Sequence, residues 1–305
     1  MTKKVFSVRV CSAFAGLLVG ALGLVGPAGA AGDTLPKEVK VRNVEFVLIP
    51  EGWFFKTGGV PGVNEDTAGN KKIWLDAFYI GKHEARARDL EPFMNQLNDK
   101  GRTLYGGATE SCSLRPGTSG KYALVEPDKD LPATHLSWTL ADQWVRWLGF
   151  RLPTEAEWEK AARGSDQRVY PWGDELPDET YANFNTPSAE GCIVWPVDRP
   201  IKGQSPYGVM NMAGNVREYV ADWENPEFDR KLAEGARNPV APASAEGRNM
   251  LKGGRWASSL VELRISNRNT ATPDMPFRCN GARFALDAAV VRDYLVTGNA
   301  VVIAH

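Results

Sequence analysis

The chain has 305 residues, 43% of them hydrophobic and 24% charged, a globular composition that excludes global disorder and is long enough for one large domain or two small ones. Its 36 Lys and Arg are balanced by 37 Asp and Glu, and so mild an acidity argues against nucleic acid or an anionic membrane as partner. Ten tryptophans point to an aromatic-rich core in which each buried indole N–H needs an acceptor.

Lys3, Lys4 and Arg9 accompany an apolar run from Val10 to Val25, and Ala28-Gly29-Ala30 carries the small residues of a cleavage site. Residues 1–30 therefore read as a secretory signal peptide. The run is short and interrupted by Gly16, Gly20 and Gly23, unlike a spanning helix, and Cys11 lacks a lipoprotein cleavage context. Removing the three positive charges takes the net charge from −1 to −4, and the product is expected to be periplasmic or secreted, with no further membrane span. Such a compartment is oxidising. Cys112, Cys192 and Cys279 are odd in number, so one disulfide plus one buried or free thiol is expected, with all three pairings open.

Further along, Val44 to Ile49 predicts a largely buried strand, left through Pro50-Glu51-Gly52, and Ile73 to Ile80 predicts a second, with Gly58 to Asn70 a loop between them. Leu90, Phe93, Met94 and Leu97 have helical spacing, with Pro92 implying a late start or a kink. A loop from Gly101 to Pro132 follows. Ser137 is an N-cap for a helix to Leu148, along which Leu140, Trp144 and Leu148 recur every four residues. Thr154 and Glu157 form a capping box for a third helix, which Gly164 stops. Proline and glycine then leave room mainly for loops and short strands, with Glu224 to Arg248 an exposed excursion. One domain is expected over residues 37–286, followed by a C-terminal extension, 287–305, able to add a strand to the domain or to a partner.

Taken in order, Phe78-Tyr79-Ile80, Arg151-Leu152-Pro153-Thr154-Glu155-Ala156-Glu157-Trp158-Glu159, Ala161-Ala162-Arg163-Gly164, Tyr170-Pro171-Trp172-Gly173, Ala182-Asn183-Phe184-Asn185, Tyr207-Gly208-Val209, Met212-Ala213-Gly214-Asn215-Val216, Asp222-Trp223 and Gly253-Gly254-Arg255-Trp256 resemble the formylglycine-generating enzymes, or sulfatase-modifying factors. The resemblance runs from about Val44 to Phe284. It implies an α+β fold, the irregular, loop-rich C-type-lectin-like fold of that family.

The archetypal activity, oxidation of a sulfatase cysteine to formylglycine, uses copper(I) on two cysteines just after a Gly-Gly-Ser-Trp phrase. Those positions fall on Ser258 and Leu263. Leucine has no donor atom and a hydroxyl is too hard a ligand for copper(I), so no copper is expected and the archetypal oxidation is not either. The related ergothioneine-type sulfoxide synthases hold iron on three histidines. Here His83 and His135 are the internal histidines and read as structural, with His305 a solvated tail residue.

The family's structural calcium sites fit better. Asn211, Gly214, Val216 and Glu218 occupy positions that supply an Asn side chain, two carbonyls and a carboxylate, a hard oxygen set suited to Ca2+. A second site would use Asn183 and the Phe184 carbonyl, with Glu190 the nearest acid and Cys192 intruding. Arg217 and Tyr219 stand on either side of Glu218 where the family carries Trp, and Arg255 replaces a serine, placing cations at a substrate or partner groove that includes Arg255, Trp256 and Ser258. The expected function is a peptide- or protein-binding accessory or maturation factor of the cell envelope. The alternative is an enzyme of altered chemistry that oxidises or matures a periplasmic peptide, as in pyoverdine maturation, with Ser258, Glu262, Arg255 and Asn267 as polar candidates. A purely structural envelope component is the third possibility.

Overall fold

The computed structural model describes residues 34–57, 69–99, 111–117, 119–127, 129–186 and 191–304. The signal-peptide segment, Glu190 and His305 lie outside them. An antiparallel five-stranded sheet is built from β1 (Glu38–Val41), β2 (Val44–Ile49), β5 (Phe78–Gly81), β12 (Ala285–Asp287) and β13 (Ala300–Val302), in the order β12-β5-β2-β1-β13. Side-chain alternation explains why β2 is hydrophobic almost throughout. Phe46 and, across the ladder, Tyr79 point into one core with Leu90, Leu140, Trp144, Phe150 and Phe284, whereas Val47, Ile49 and the paired Ile80 and Phe78 point into a second.

The stretch expected as one strand from Ile73 to Ile80 is two. β3 (Gly52–Lys56) and β4 (Lys71–Leu75) form a separate hairpin, and the chain re-enters the main sheet only at β5. Asp76 marks the break: its carboxylate accepts from Trp74 Nε1 at 3.0 Å and from Asn238 Nδ2 at 2.9 Å, and Asn238 Oδ1 accepts from the Asp76 amide. The excursion from Glu224 to Arg248 is thereby tied to this hairpin, a long-range contact that composition does not encode.

α1 (Ala87–Asp99) begins before Leu90 and runs through Pro92, and α2 (Trp138–Trp147) starts where Ser137 Oγ accepts from the Leu140 amide. α3 (Glu155–Arg163) has the expected reciprocal capping box and ends at Gly164, whose φ of 77° suits a residue without Cβ. All nine residues of α3 are buried, charged ones included, because the helix is wedged between the β3–β4 hairpin and a second sheet. That sheet has the order β10 (Asn269–Ala271), β9 (Asn249–Lys252), β8 (Arg217–Trp223), β11 (Asn280–Ala282). Arg268 donates to both oxygens of Glu155, at 2.7 and 2.9 Å, and Lys252 to Glu159 at 2.9 Å, so the buried acids are matched by buried bases. A small hairpin of β6 (Leu114–Pro116) and β7 (Tyr122–Leu124) lies against α1.

Beyond the second sheet, α4 (Pro226–Lys231) lies within the excursion, and in the extension α5 (Ala288–Val296) leads into β13, which pairs with β1 as the edge of the main sheet. Cys112 and Cys192 form a disulfide, leaving Cys279 as a buried free thiol. Among the described residues no helix is long and apolar enough to cross a membrane.

Candidate functional site

Three loops are sewn together by backbone hydrogen bonds where β8 begins and β9 ends, at one end of the second sheet's central strands. Gly214 N donates to Gly253 O at 2.7 Å and Trp256 N to Asn215 O at 2.9 Å, while Asn215 N donates to Asn183 O at 2.9 Å. Asn185 N and Thr186 N close the third side, on Ser258 O and Trp256 O. The phrases that carry the resemblance thus converge in space. Glycine is required at Gly214, where φ is 82° and a Cβ would collide with the Asn183 carbonyl.

At the centre lies Asn215, a member of the Met212-Ala213-Gly214-Asn215-Val216 phrase with no ligand role among the expected calcium positions. Its Oδ1 accepts from Asn183 Nδ2 at 3.0 Å and Trp195 N at 2.8 Å, and its Nδ2 donates to Glu84 Oε2 at 2.7 Å and Trp195 O at 3.1 Å. Glu84, also missed, accepts from Asn211 Nδ2 at 3.1 Å and the Val216 amide at 3.2 Å. Burial, with Glu218 close by, pushes its carboxyl up to about 8. The advance signal for Glu84 was an acid four residues beyond the Phe78-Tyr79-Ile80 phrase.

Asn211 is buried, and its amide nitrogen is spent on Glu84 and the Val197 carbonyl, which leaves Oδ1 buried without a donor. Such an oxygen is what a hard cation would satisfy. Glu218 is differently placed. Arg283 donates to its two oxygens at 2.6 and 2.9 Å, and Trp158 Nε1 adds a third bond at 2.7 Å. A cation at Asn211 would therefore share this carboxylate with Arg283. At the second candidate site, Asn183 Nδ2 donates to Ile193 O at 2.7 Å and Phe184 O accepts from Thr186 Oγ1 at 3.4 Å. Among the described residues no three His, Cys, Asp or Glu side chains gather into a metal cluster, so calcium would depend on amide and carbonyl oxygens.

Copper(I) does not fit. Ser258 is fully buried, its Oγ accepting from the Arg255 amide at 3.0 Å, and Leu263 is fully buried against Tyr170, Ala182 and Ala213. Neither is a thiolate, and two of the three described cysteines are bonded to each other. Burial raises the Cys279 thiol against the influence of Arg255, Arg217 and Arg278. His83 Nδ1 lies 3.0 Å from Val197 O, and burial lowers its pKa.

Of the three residues expected to line the groove, Arg255 alone reaches solvent. Trp256 is wholly buried with Val216 and Cys279, so it and Ser258 support the surface from beneath. A cavity of about 830 Å3 lies elsewhere, and three of its four arginines are paired: Arg146 with Asp142, Arg151 with Glu157 and Asp287, Arg237 with Asp76.

Residues 32–288 match the sulfatase-modifying factor enzyme 1-like domain. The chain is 29% identical over 286 residues to the formylglycine-generating enzyme of Mus musculus, covering 80% of this chain and 75% of that one. It is 32% identical over 231 residues to the serine/threonine-protein kinase pkn1 of Chlamydia pneumoniae, covering 75% of this chain but only 36% of the kinase's length. Among solved structures, PvdO from Pseudomonas aeruginosa superposes with a TM-score of 0.63 at 21% identity, over 83% of this chain and 99% of PvdO. The domain match, the relatives and the irregular α+β C-type-lectin-like architecture agree: this chain belongs to the sulfatase-modifying factor, or formylglycine-generating-enzyme-like, family.

Proposed function

We propose that this protein is an exported, copper-free member of the family that binds a peptide or protein partner in the cell envelope, acting as an accessory or maturation factor. The observation that carries this is the fate of Ser258 and Leu263. Both thiolate positions are filled by buried side chains engaged in turn-making and packing, while the three loops around them remain tightly sewn. A framework that holds its surface after its redox donors are gone supports recognition better than the family's oxidation. The disulfide supports export, since such bonds persist in oxidising compartments.

Catalysis of another kind finds little support in the polar candidates. Ser258 is spent on the Arg255 amide, and Glu262 is divided between Arg217 and the Ser259 amide. In this reading Ca2+ is a staple for irregular backbone, held by Asn211 Oδ1, the Gly214 and Val216 carbonyls and the share of Glu218 that Arg283 leaves. Asn183 and the Phe184 carbonyl would contribute to a second site.

The test is metal analysis of the purified mature protein, an aldehyde assay on a sulfatase-type cysteine peptide, and a search for saturable association with envelope peptides and proteins. Bound calcium, no copper, no aldehyde and saturable association are expected. Aldehyde formation, or the lack of any saturable partner, would overturn the reading.

A further inference from the structure

Arg217 opens β8 and Arg255 lies on the turn that follows β9, and Cys279 touches both: its carbonyl accepts from Arg217 N at 2.9 Å and its Sγ lies 3.9 Å from Arg255 Nη1. Their surroundings are unequal. Arg217 Nη2 donates to Glu262 Oε1 at 2.6 Å, while the other oxygen of Glu262 accepts from the Ser259 amide at 3.0 Å. Arg255 has no carboxylate partner among the described residues: its Nη1 faces Cys279 Sγ at 3.9 Å and its guanidinium lies 5.7 Å from the Phe277 ring centroid. Nε of each arginine is buried without an acceptor.

We propose that Arg217 and Arg255 form a carboxylate-binding subsite for the partner peptide, which presents an acidic side chain or chain terminus beside an apolar residue. This rests on the peptide-binding reading above and names its chemistry. Glu262 answers Arg217, so Arg255 is the guanidinium of the two whose single charge has no carboxylate against it, which suits a monoanion. A phosphate dianion would be repelled by Glu262, whereas the planar fork of arginine matches a carboxylate. Taking the ligand turns the Nε edge of Arg255 toward it and gives up only a weak contact to sulfur. The apolar flank is present: Phe277 beneath Arg255, and Leu260 and Val261 on the turn that carries Glu262, are all exposed.

Calorimetric titration of the full protein with three peptides tests this. Acetyl-Leu-Glu-Phe-Leu-amide carries a side-chain carboxylate only, acetyl-Leu-Gln-Phe-Leu with a free terminus carries the terminal one only, and acetyl-Leu-Gln-Phe-Leu-amide carries neither. At least one acid peptide binds about ten-fold tighter than the neutral one, and its identity tells side chain from terminus. R255Q removes the preference and R255K retains part of it. E262Q, which still accepts from the Ser259 amide, tightens acid binding about three-fold by removing a competing charge. A purely structural Arg217–Glu262 pair predicts no such gain. Circular dichroism and thermal midpoints establish that each variant is folded. Equal binding of all three peptides overturns this proposal and leaves the peptide-binding reading standing. Retention of the preference in R255Q, or no binding of any of the three, also overturns it, while the search for envelope partners judges the broader reading separately.

Discussion

Arg283 grips Glu218 through two hydrogen bonds, 2.6 and 2.9 Å long, with neither side chain exposed to solvent. The same guanidinium also donates to the Gly81 and Met210 carbonyls, joining the end of β5 to the loop that leads into β8. Removing one partner leaves a buried charge uncompensated. Arg283→Leu is expected to cost about 3–5 kcal/mol by urea unfolding, and Arg283→Met combined with Glu218→Gln to recover much of it. A wild-type midpoint for the single variant would show that the pair carries no stability.

Asn211 predicts a calcium response. Its unsatisfied Oδ1 is the most available of the candidate ligands, so chelation should lower the thermal midpoint and excess Ca2+ restore it. Saturation at a hundred times the dissociation constant adds about 2.7 kcal/mol. Asn211→Ala is expected to abolish the response as well as lowering the midpoint, and a variant that still responds fully would place the ion elsewhere.

The Cys112–Cys192 bridge closes a separation of 80 residues. Loop-closure entropy then contributes about 4 kcal/mol, so reduction, or a Cys112→Ser/Cys192→Ser double variant, should shift denaturant midpoints sharply downward. Thiol titration distinguishes the pairing. The unfolded, unreduced mature protein should react once, and the native protein scarcely at all because Cys279 is buried. More than one thiol in the unfolded protein contradicts the bridge.

Asp222 makes stability depend on pH. Burial, with Glu155 adding to it, raises its carboxyl from 3.8 to about 7, although its oxygens accept from the Glu155 and Ala241 amides. A folded pKa above the unfolded one means that the native state keeps the proton. The contribution is therefore fully present below about pH 4 and is lost as pH rises to about 7, a swing of about 4 kcal/mol. Asp222→Asn cannot ionise. Its unfolding free energy relative to wild type should move in its favour between about pH 4 and about pH 7, measured by urea unfolding across that range. Parallel pH profiles would refute the assignment.

Local chemistry made much of the fold legible. Ser137, the Thr154–Glu157 box and Gly164 are start and stop signals satisfied by atoms a few residues away, and the helices begin and end on them. The break at Asp76 was not legible, because the partners that hold it, Asn238 and Arg237, lie about 160 positions along the chain. Glu84 and Asn215 escaped for the same reason. Each is unremarkable in its own segment and becomes a hub only when the loops meet.

The sequence by itself determined the family, the serine and leucine at residues 258 and 263 and the presence of a cation at residue 255, because these are matters of residue identity and order. Only the tertiary structure decided which cysteines pair, that Ser258 and Trp256 face inward, that Glu218 belongs first to Arg283, and that Glu262 pairs with Arg217 while Arg255 lies against Cys279 and Phe277. Those outcomes depend on distances between segments remote in the chain, which are set when the two cores and the three loops pack at once.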